Sequence, residues 1–294
     1  MITVFTPTFN RLPLLKKLSL SLEQQTTSDF TWLIIDDGSS DGTFEWIEQY
    51  KNNSKYKIMY VKQENQGKHI AFNTAIEKCQ TKYMINVDSD DQVTSNAIKC
   101  IINCINNLND EIGIIFPKKV NGEYDFDKWE LINNRIVNII DMKELYGIIE
   151  TAILFDMSVL KNYRFPQFKR DDGDFEKFAP EGLLYCQLCD AGKFRLLNKC
   201  FYEADYQNDG LTNNLFAKTW INNFYGVIEA MKLRYKYVYC YPFPRNLISK
   251  TKCILNINSL CLLKKKNFLR FSPSKSLSII LFIPSLFFMK KRFR

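Results

Sequence analysis

The strongest constraint on the fold is a rhythm in the first 117 residues, where short apolar runs alternate with segments of helical spacing. Ile2 to Phe5, Thr31 to Ile35, Lys57 to Val61, Tyr83 to Val87 and Gly113 to Phe116 read as strands. Between them, Leu12 to Leu22 repeats apolar residues at helical spacing, and Asp41-Gly42-Thr43-Phe44-Glu45-Trp46 opens another helix behind an acidic cap. This alternation predicts an α/β fold with a doubly wound, mostly parallel sheet. A chain of 294 residues suits one large domain, or one domain with an appendage.

Composition excludes the extremes. With 46% hydrophobic and 24% charged residues the chain should fold, and it resembles neither a disordered nor a collagen-like sequence. Its nine cysteines are scattered, which reads as reduced cytosolic thiols rather than a secreted disulfide scaffold. The opening Met1-Ile2-Thr3-Val4-Phe5 lacks the basic start and cleavage site of a signal peptide and reads as a first strand.

Ligands of such sheets bind beyond the carboxyl ends of the strands, and polar residues gather there. Thr6-Pro7-Thr8-Phe9-Asn10-Arg11 follows the first strand, Asp36-Asp37-Gly38-Ser39-Ser40-Asp41 the second, and Asp88-Ser89-Asp90-Asp91 the fourth. The last cluster repels itself unless a cation neutralises it. A divalent ion shared with substrate phosphates, Mg2+ or Mn2+, matches such hard oxygen donors. The plainer reading is an acidic turn capping a helix from Thr94 onward. A second acidic strand end at Asp36 and Asp37, where a carboxylate can accept from a base or ribose, favours a ligand site.

Taken in order, TPTFNR, LIIDDGSSDGT, ENQGKHIAFNTAI and INVDSDD resemble the family 2 glycosyltransferases with the GT-A fold. The resemblance continues through GDFEKFAPEGLLYCQL and FYEADYQNDGLT, similar to the acceptor-side α/β half of a bacterial polysaccharide or capsule-type branch, and fades near residue 215. It implies a nucleotide-sugar donor, most commonly a UDP-sugar, and a saccharide or lipid-linked saccharide acceptor. Carried over by position, it implies that Thr6 and Pro7 border the nucleotide, that Asp37 faces the base, and that Lys68 lies near the base or phosphates. Asp88 and Asp90 correspond to the D-x-D pair, with Ser89 on the nucleotide-sugar side. Asp90 is then the direct ligand of Mn2+ or Mg2+, and Asp88 contacts the ribose or a metal-bound water. Asp91 is either a helper or a helix cap.

An acceptor hydroxyl needs a base. The only histidine, His69, sits on the nucleotide side and reads as surface or structural. The resemblance implies a carboxylate at the start of an acceptor-side helix, which Pro180-Glu181-Gly182 matches, and a buried Glu181 there would have a raised pKa. The alternative is an acid stabilising a first helical turn. Nearby Asp172, Asp174 and Glu176 read as an exposed acidic loop. Direct displacement with inversion follows, with no covalent enzyme intermediate. Cys186 and Cys189 have zinc-like spacing without a second pair and read as buried thiols. Asp205 and Asp209 read as parts of a turn.

Residues 1–215 are expected to form the transferase domain and residues 216–294 a helical extension. Trp220, Phe224, Val227, Ile228 and Met231 repeat at helical spacing and suit packing on the core. The net charge of +8 is concentrated at the end, where Lys275, Lys290, Lys291 and Arg292 flank an apolar run from Leu277 to Met289. That run falls short of the roughly 20 residues of a span. It suits a peripheral seat on the inner face of a membrane, or else a last helix covering the core, and Pro284 should kink it. An acidic cleft argues against nucleic acid. The absence of glycine-rich loops after the strands argues against a pyrophosphorylase or a dehydrogenase. The remaining alternative is a non-catalytic nucleotide-sugar-binding or partner subunit, which intact Asp88, Asp90 and Glu181 disfavour.

Overall fold

The structure is a computed structural model and describes residues 2–204 and 215–293. The turn from Asp205 to Thr212 lies outside the described residues. The chain divides into two compact units, one of Met1–Arg164 with Leu188–Gln207, the other of Phe165–Gln187 with Asn208–Arg294. Phe165–Gln187, placed by the sequence in the expected domain of residues 1–215, therefore groups with the C-terminal helices.

The first unit is built on ten strands: β1 (Ile2–Thr8), β2 (Phe30–Asp36), β3 (Lys57–Lys62), β4 (Tyr83–Asn86), β5 (Gln92–Val93), β6 (Gly113–Val120), β7 (Ile136–Val137), β8 (Thr151–Asp156), β9 (Phe194–Leu196) and β10 (Tyr202–Ala204). Its helices are α1 (Leu12–Glu23), α2 (Thr43–Tyr50), α3 (Lys68–Lys78), α4 (Ala97–Ile105), α5 (Phe126–Ile132), α6 (Asp141–Glu144) and α7 (Met157–Leu160). The sheet order is β3-β2-β1-β4-β8-β6-β10-β5, with β9 also on β6 and β7 on β9. β1, β2, β3 and β4 run parallel, and β8 enters antiparallel to both β4 and β6.

Helices cover the sheet, so β2 is buried at every position and reads as a continuous apolar run rather than an alternating one. α1 contributes Leu15, Leu18 and Leu22 to a core shared with Trp32, Ile47, Ile98, Phe116 and Leu154. Gly113 opens β6 where a Cβ would fall onto the Leu154 carbonyl oxygen and the Phe194 ring. The winding runs from β1 outward to β3 and returns to β4 on the other side of β1. That reversal opens a crevice beyond the ends of β1 and β4, where the two polar segments meet.

The second unit holds α8 (Gly182–Leu188), with its last residue in the first unit, then α9 (Trp220–Asn222), α10 (Phe224–Tyr237), α11 (Arg245–Leu263), α12 (Phe268–Phe271), α13 (Lys275–Ile280) and α14 (Phe282–Arg292). The expected apolar stripe of Trp220, Phe224, Val227, Ile228 and Met231 is buried, packed with Cys253, Ile257 and Leu260 of α11 and with Phe293. The interruption foreseen at Pro284 falls earlier, at Leu281, between α13 and α14. A proline cannot donate to the carbonyl four residues back and clashes with it, so Pro284 is tolerated in the first turn of a new helix. No helix among the described residues is long and apolar enough to cross a membrane.

Candidate active site at the strand ends

The loops after β1 and β2 lock each other. The Trp32 indole N–H donates to Thr6 Oγ1 at 3.0 Å, which fixes the buried hydroxyl of Thr6 beside Pro7. The Asn10 N–H donates to Ser39 Oγ at 2.8 Å, and Asn10 Oδ1 accepts from the Ser40 N–H at 2.8 Å. Asp36 is fully buried and accepts from the Ser39 N–H at 2.7 Å and the Tyr60 hydroxyl at 2.5 Å. Its carboxylate is therefore spent on the loop, not offered to a ligand.

Asp37 is buried as well. It accepts from Gln63 Nε2 at 2.8 Å, the Gln66 N–H at 2.9 Å and the Gly67 N–H at 2.7 Å. Gly67 stands at φ +92°, in the left-handed region that favours glycine, immediately before α3. Asp37 thus pins the entry to α3 and so positions Lys68, its first residue. This second-strand acid organises the loop through three bonds of its carboxylate, a role its place in DDGSSDGT did not indicate.

The cluster after β4 is neutralised by the chain itself. Lys68 Nζ donates to Asp88 Oδ2 at 2.8 Å, and Asn86 Nδ2 donates to Asp88 Oδ1 at 2.9 Å. Arg11 Nη1 donates to Asp90 Oδ2 at 2.7 Å. Burial acts to raise the Asp88 carboxyl, but Lys68 and Lys118 outweigh it and hold that group well below the usual carboxylate range. Ser89 is buried between the two acids.

Asp91 is pushed up to about 7 by burial and by the Asp88 charge, against the pull of Lys118 and the Tyr202 hydroxyl. Tyr202 comes from β10, accepts from the Asp88 N–H at 3.0 Å and donates to Asp91 Oδ2 at 2.6 Å. Lys118 of β6 lies 3.9 Å from Asp91 and 4.1 Å above the Tyr202 ring. Asp91 is therefore tied into the turn after β4, and its role as a plain cap of a helix from Thr94 does not hold: the next helix, α4, starts at Ala97 behind the short strand β5.

Among the described residues no three His, Cys, Asp or Glu side chains are grouped to hold a metal. A divalent ion shared with a diphosphate needs only one or two carboxylates, and the donors fit it. Asp88 and Asp90 are partly exposed, offer hard oxygens, and Asp90 has only Oδ2 engaged.

Glu181 lies in the second unit, one residue before α8, with Tyr185 donating its hydroxyl to Oε2 at 3.0 Å. It is exposed, so the burial expected for it is absent. The buried acid of that segment is Glu176, read from sequence as part of an exposed loop. Glu176 accepts from the Tyr225 and Gly226 N–H groups, both at 2.7 Å, at the start of α10. Burial raises its pKa, and these amides act to lower it. Asp172 and Asp174 are exposed and paired with Arg170. His69 is buried in α3, and burial lowers it to about 4, which makes it a neutral structural residue. Cys186 is buried and Cys189 half-buried, and neither is in a disulfide.

Arg11, Lys118 and Tyr202 were not singled out in the sequence. The one signal for the two cations was charge balance: an acidic cluster at a strand end calls for cations, and Arg11 stands inside TPTFNR, at the end of a neighbouring strand. Tyr202 had no local signal, because it reaches Asp88 across 114 residues of chain.

The sequence model of the family described as Glycosyl transferase family 2 matches residues 3–164. The poly(ribitol-phosphate) beta-N-acetylglucosaminyltransferase TarS of Staphylococcus aureus is 25% identical over 167 residues, which are 53% of this chain and 29% of that protein. The chondroitin synthase of Escherichia coli is 22% identical over 246 residues, 81% of this chain and 34% of that protein. The chain thus spans roughly a third of the length of these curated relatives. Among solved structures, S. aureus TarS 1-349 in complex with UDP-GlcNAc superposes with a TM-score of 0.61 at 16% identity, covering 97% of this chain and 79% of that one. The mannosyltransferase PcManGT from Pyrobaculum calidifontis, in complex with GDP-Man and Mn2+, gives 0.55 at 14% identity, covering 98% and 83%. These likenesses establish the GT-A fold, and the match over residues 3–164 places the chain in glycosyl transferase family 2.

Proposed function

We propose that this chain is an inverting glycosyltransferase that takes a sugar from a nucleotide-diphosphate sugar, with UDP as the carrier. The acceptor is a hydroxyl of a saccharide or lipid-linked saccharide in cell-surface polysaccharide synthesis. The observation that carries this reading is the set of Lys68, Arg11, Asp88 and Asp90 at the switch of the sheet, joined by bonds of 2.7–2.8 Å. Fixed cations there meet a diphosphate, while the acids can hold a metal and a ribose. Support for the donor comes from the TarS structure with UDP-GlcNAc, and support for a metal from the PcManGT structure with GDP-Man and Mn2+.

In this reading Thr6 and Pro7 border the nucleotide, and Asp37 acts by holding the loop that aims Lys68 at the base or phosphates. Asp90 and Asp88 would hold Mn2+ or Mg2+, which when bound supplies Lewis-acid stabilisation of the leaving diphosphate. Glu181 accepts the acceptor's proton as the new C–O bond forms at the anomeric carbon. The old C–O bond breaks with its electron pair passing to the nucleoside diphosphate, and the configuration inverts. The protein's share is positioning and preset charge.

A second reading, nucleotide-sugar binding without turnover, draws on one observation: Asp88 and Asp90 already have cationic partners within the chain. Calorimetric titration with UDP, GDP and dTDP, each with and without Mn2+, decides the first step. Metal-strengthened binding of UDP that is lost in Asp90→Ala supports the transferase site, and no binding of any nucleotide sinks it. Glu181→Gln should keep UDP affinity and lower turnover by about 10²–10⁴-fold; binding without turnover in the unaltered protein selects the second reading.

A further inference from the structure

The last two helices of the second unit carry buried serines and an exposed apolar stripe. Ser278 and Ser285 are fully buried, and their carbonyl oxygens accept from Asn258 Nδ2 and Ser259 Oγ of α11, each at 3.0 Å. Leu286, Phe288 and Met289 are half-buried, but four large apolar side chains point the other way. Ile279 is 60% exposed, Ile280 71%, Ile283 64% and Phe287 70%.

In water an amphipathic helix turns its apolar stripe to the core. Here small polar residues form the packed seam, which lets α14 approach α11 closely, and the apolar stripe faces outward. Within α14, Ile283 and Phe287 share one face, since residues four apart on a helix are neighbours. Lys275 lies four residues before Ile279, and Lys290 and Lys291 lie three and four after Phe287. All three lysines are exposed. The stripe is therefore bracketed by positive charge at both ends, with no acidic residue between Lys275 and Lys291.

We propose that this outer face of α13 and α14 docks on an anionic lipid bilayer, lying in the plane of its interface. The apolar side chains enter the acyl boundary while the lysines meet the headgroup phosphates. At 6 and 11 residues, α13 and α14 are shorter than a span, so the proposed contact is a surface one. A partner protein with a matching apolar groove would explain the stripe but not lysines at both ends. Membrane docking is independent of the transferase reading, because it uses none of the nucleotide-site residues.

The test is flotation of the full 294-residue chain with vesicles of phosphatidylcholine alone or mixed with phosphatidylglycerol. Binding should be at least about tenfold stronger on the anionic vesicles and weaken with salt. Ile283→Asp combined with Phe287→Asp should reduce it by about a hundredfold, with UDP affinity and far-UV dichroism retained. Lys290→Glu with Lys291→Glu should abolish the preference for anionic vesicles, which gives a second reading if the first variant misfolds. Point substitutions are preferable to truncation, because Phe288 and Phe293 are part of the core of the unit. Absent binding to either vesicle, binding unchanged by both variants, or a self-association that the aspartates abolish without any vesicle binding would overturn the proposal.

Discussion

Both units have an apolar core, but they differ in what lies at the seams between their elements. In the sheet unit the apolar residues of β1 and β2 are sealed on both faces, and polar residues appear where the strands end. In the helical unit the seam between α11 and the last two helices holds Ser259, Ser278, Ser285 and Asn258, while isoleucines and a phenylalanine stand in the open. Their acids differ in the same way. Asp88 and Asp90 each meet a cation from another part of the chain, whereas Glu176 is buried against two backbone amides and Glu181 is exposed with a tyrosine hydroxyl. The acids after β4 are thus matched by cations of the chain, and the acid buried at a helix start is committed to the fold.

The sharpest way to break this contrast is Glu176→Ala. It leaves one buried and one part-buried N–H group without their acceptor, and denaturation followed by tryptophan fluorescence should show a loss of about 3 kcal/mol. A loss near zero would mean that the helical unit does not depend on its buried polar contacts. An effect no larger than this is expected at His69, whose folded pKa of about 4 lies below the unfolded value of 6.5. The unfolded chain binds more protons between those values, so this contribution is complete above pH 6.5 and is lost as pH falls toward 4. His69→Gln should flatten that dependence by up to about 3 kcal/mol relative to the unaltered protein.

Tyr202→Phe removes the acceptor of the Asp88 N–H and the donor to Asp91, for a cost of about 2 kcal/mol. If Tyr202 sets the D-x-D geometry, UDP affinity falls alongside stability in the same titration. The smallest effect on stability belongs to Ile283→Asp, within about 0.5 kcal/mol by thermal melting, since an exposed side chain loses no packing. A cost of several kcal/mol there would show that the apolar stripe is covered in solution, and the contrast between the units would collapse.

Much of the sheet was legible. Every expected strand from Ile2 to Phe116 is present, and β1 and β6 run on to Thr8 and Val120 because neighbouring strands extend their ladders. β8 has the apolar run of a strand, but nothing local announces that it enters antiparallel between β4 and β6. β5 and β10 are two and three residues long; β5 exists through pairing with β10, and β10 through pairing with both β5 and β6, across the chain. At the site, Lys68, Asp88 and Asp90 were legible as a charged set, but which cation meets which acid was not. Glu176 looked like one more acid in an exposed loop because the groups that donate to it are backbone amides 49 and 50 residues away.

The sequence by itself determined the period of each element and the polar character of each strand end, because side-chain spacing along a helix or strand is a local property. It also marked the apolar tail with its lysines, without telling which side of the helix would face out. Tertiary structure alone decided the partners: Arg11 for Asp90, Lys68 for Asp88, Tyr202 for both ends of the acidic turn, and a serine seam in place of an apolar one. The physical reason is that charge neutralisation and close packing depend on distances between segments remote in the chain, and these are set only once the sheet is wound and the helices are docked.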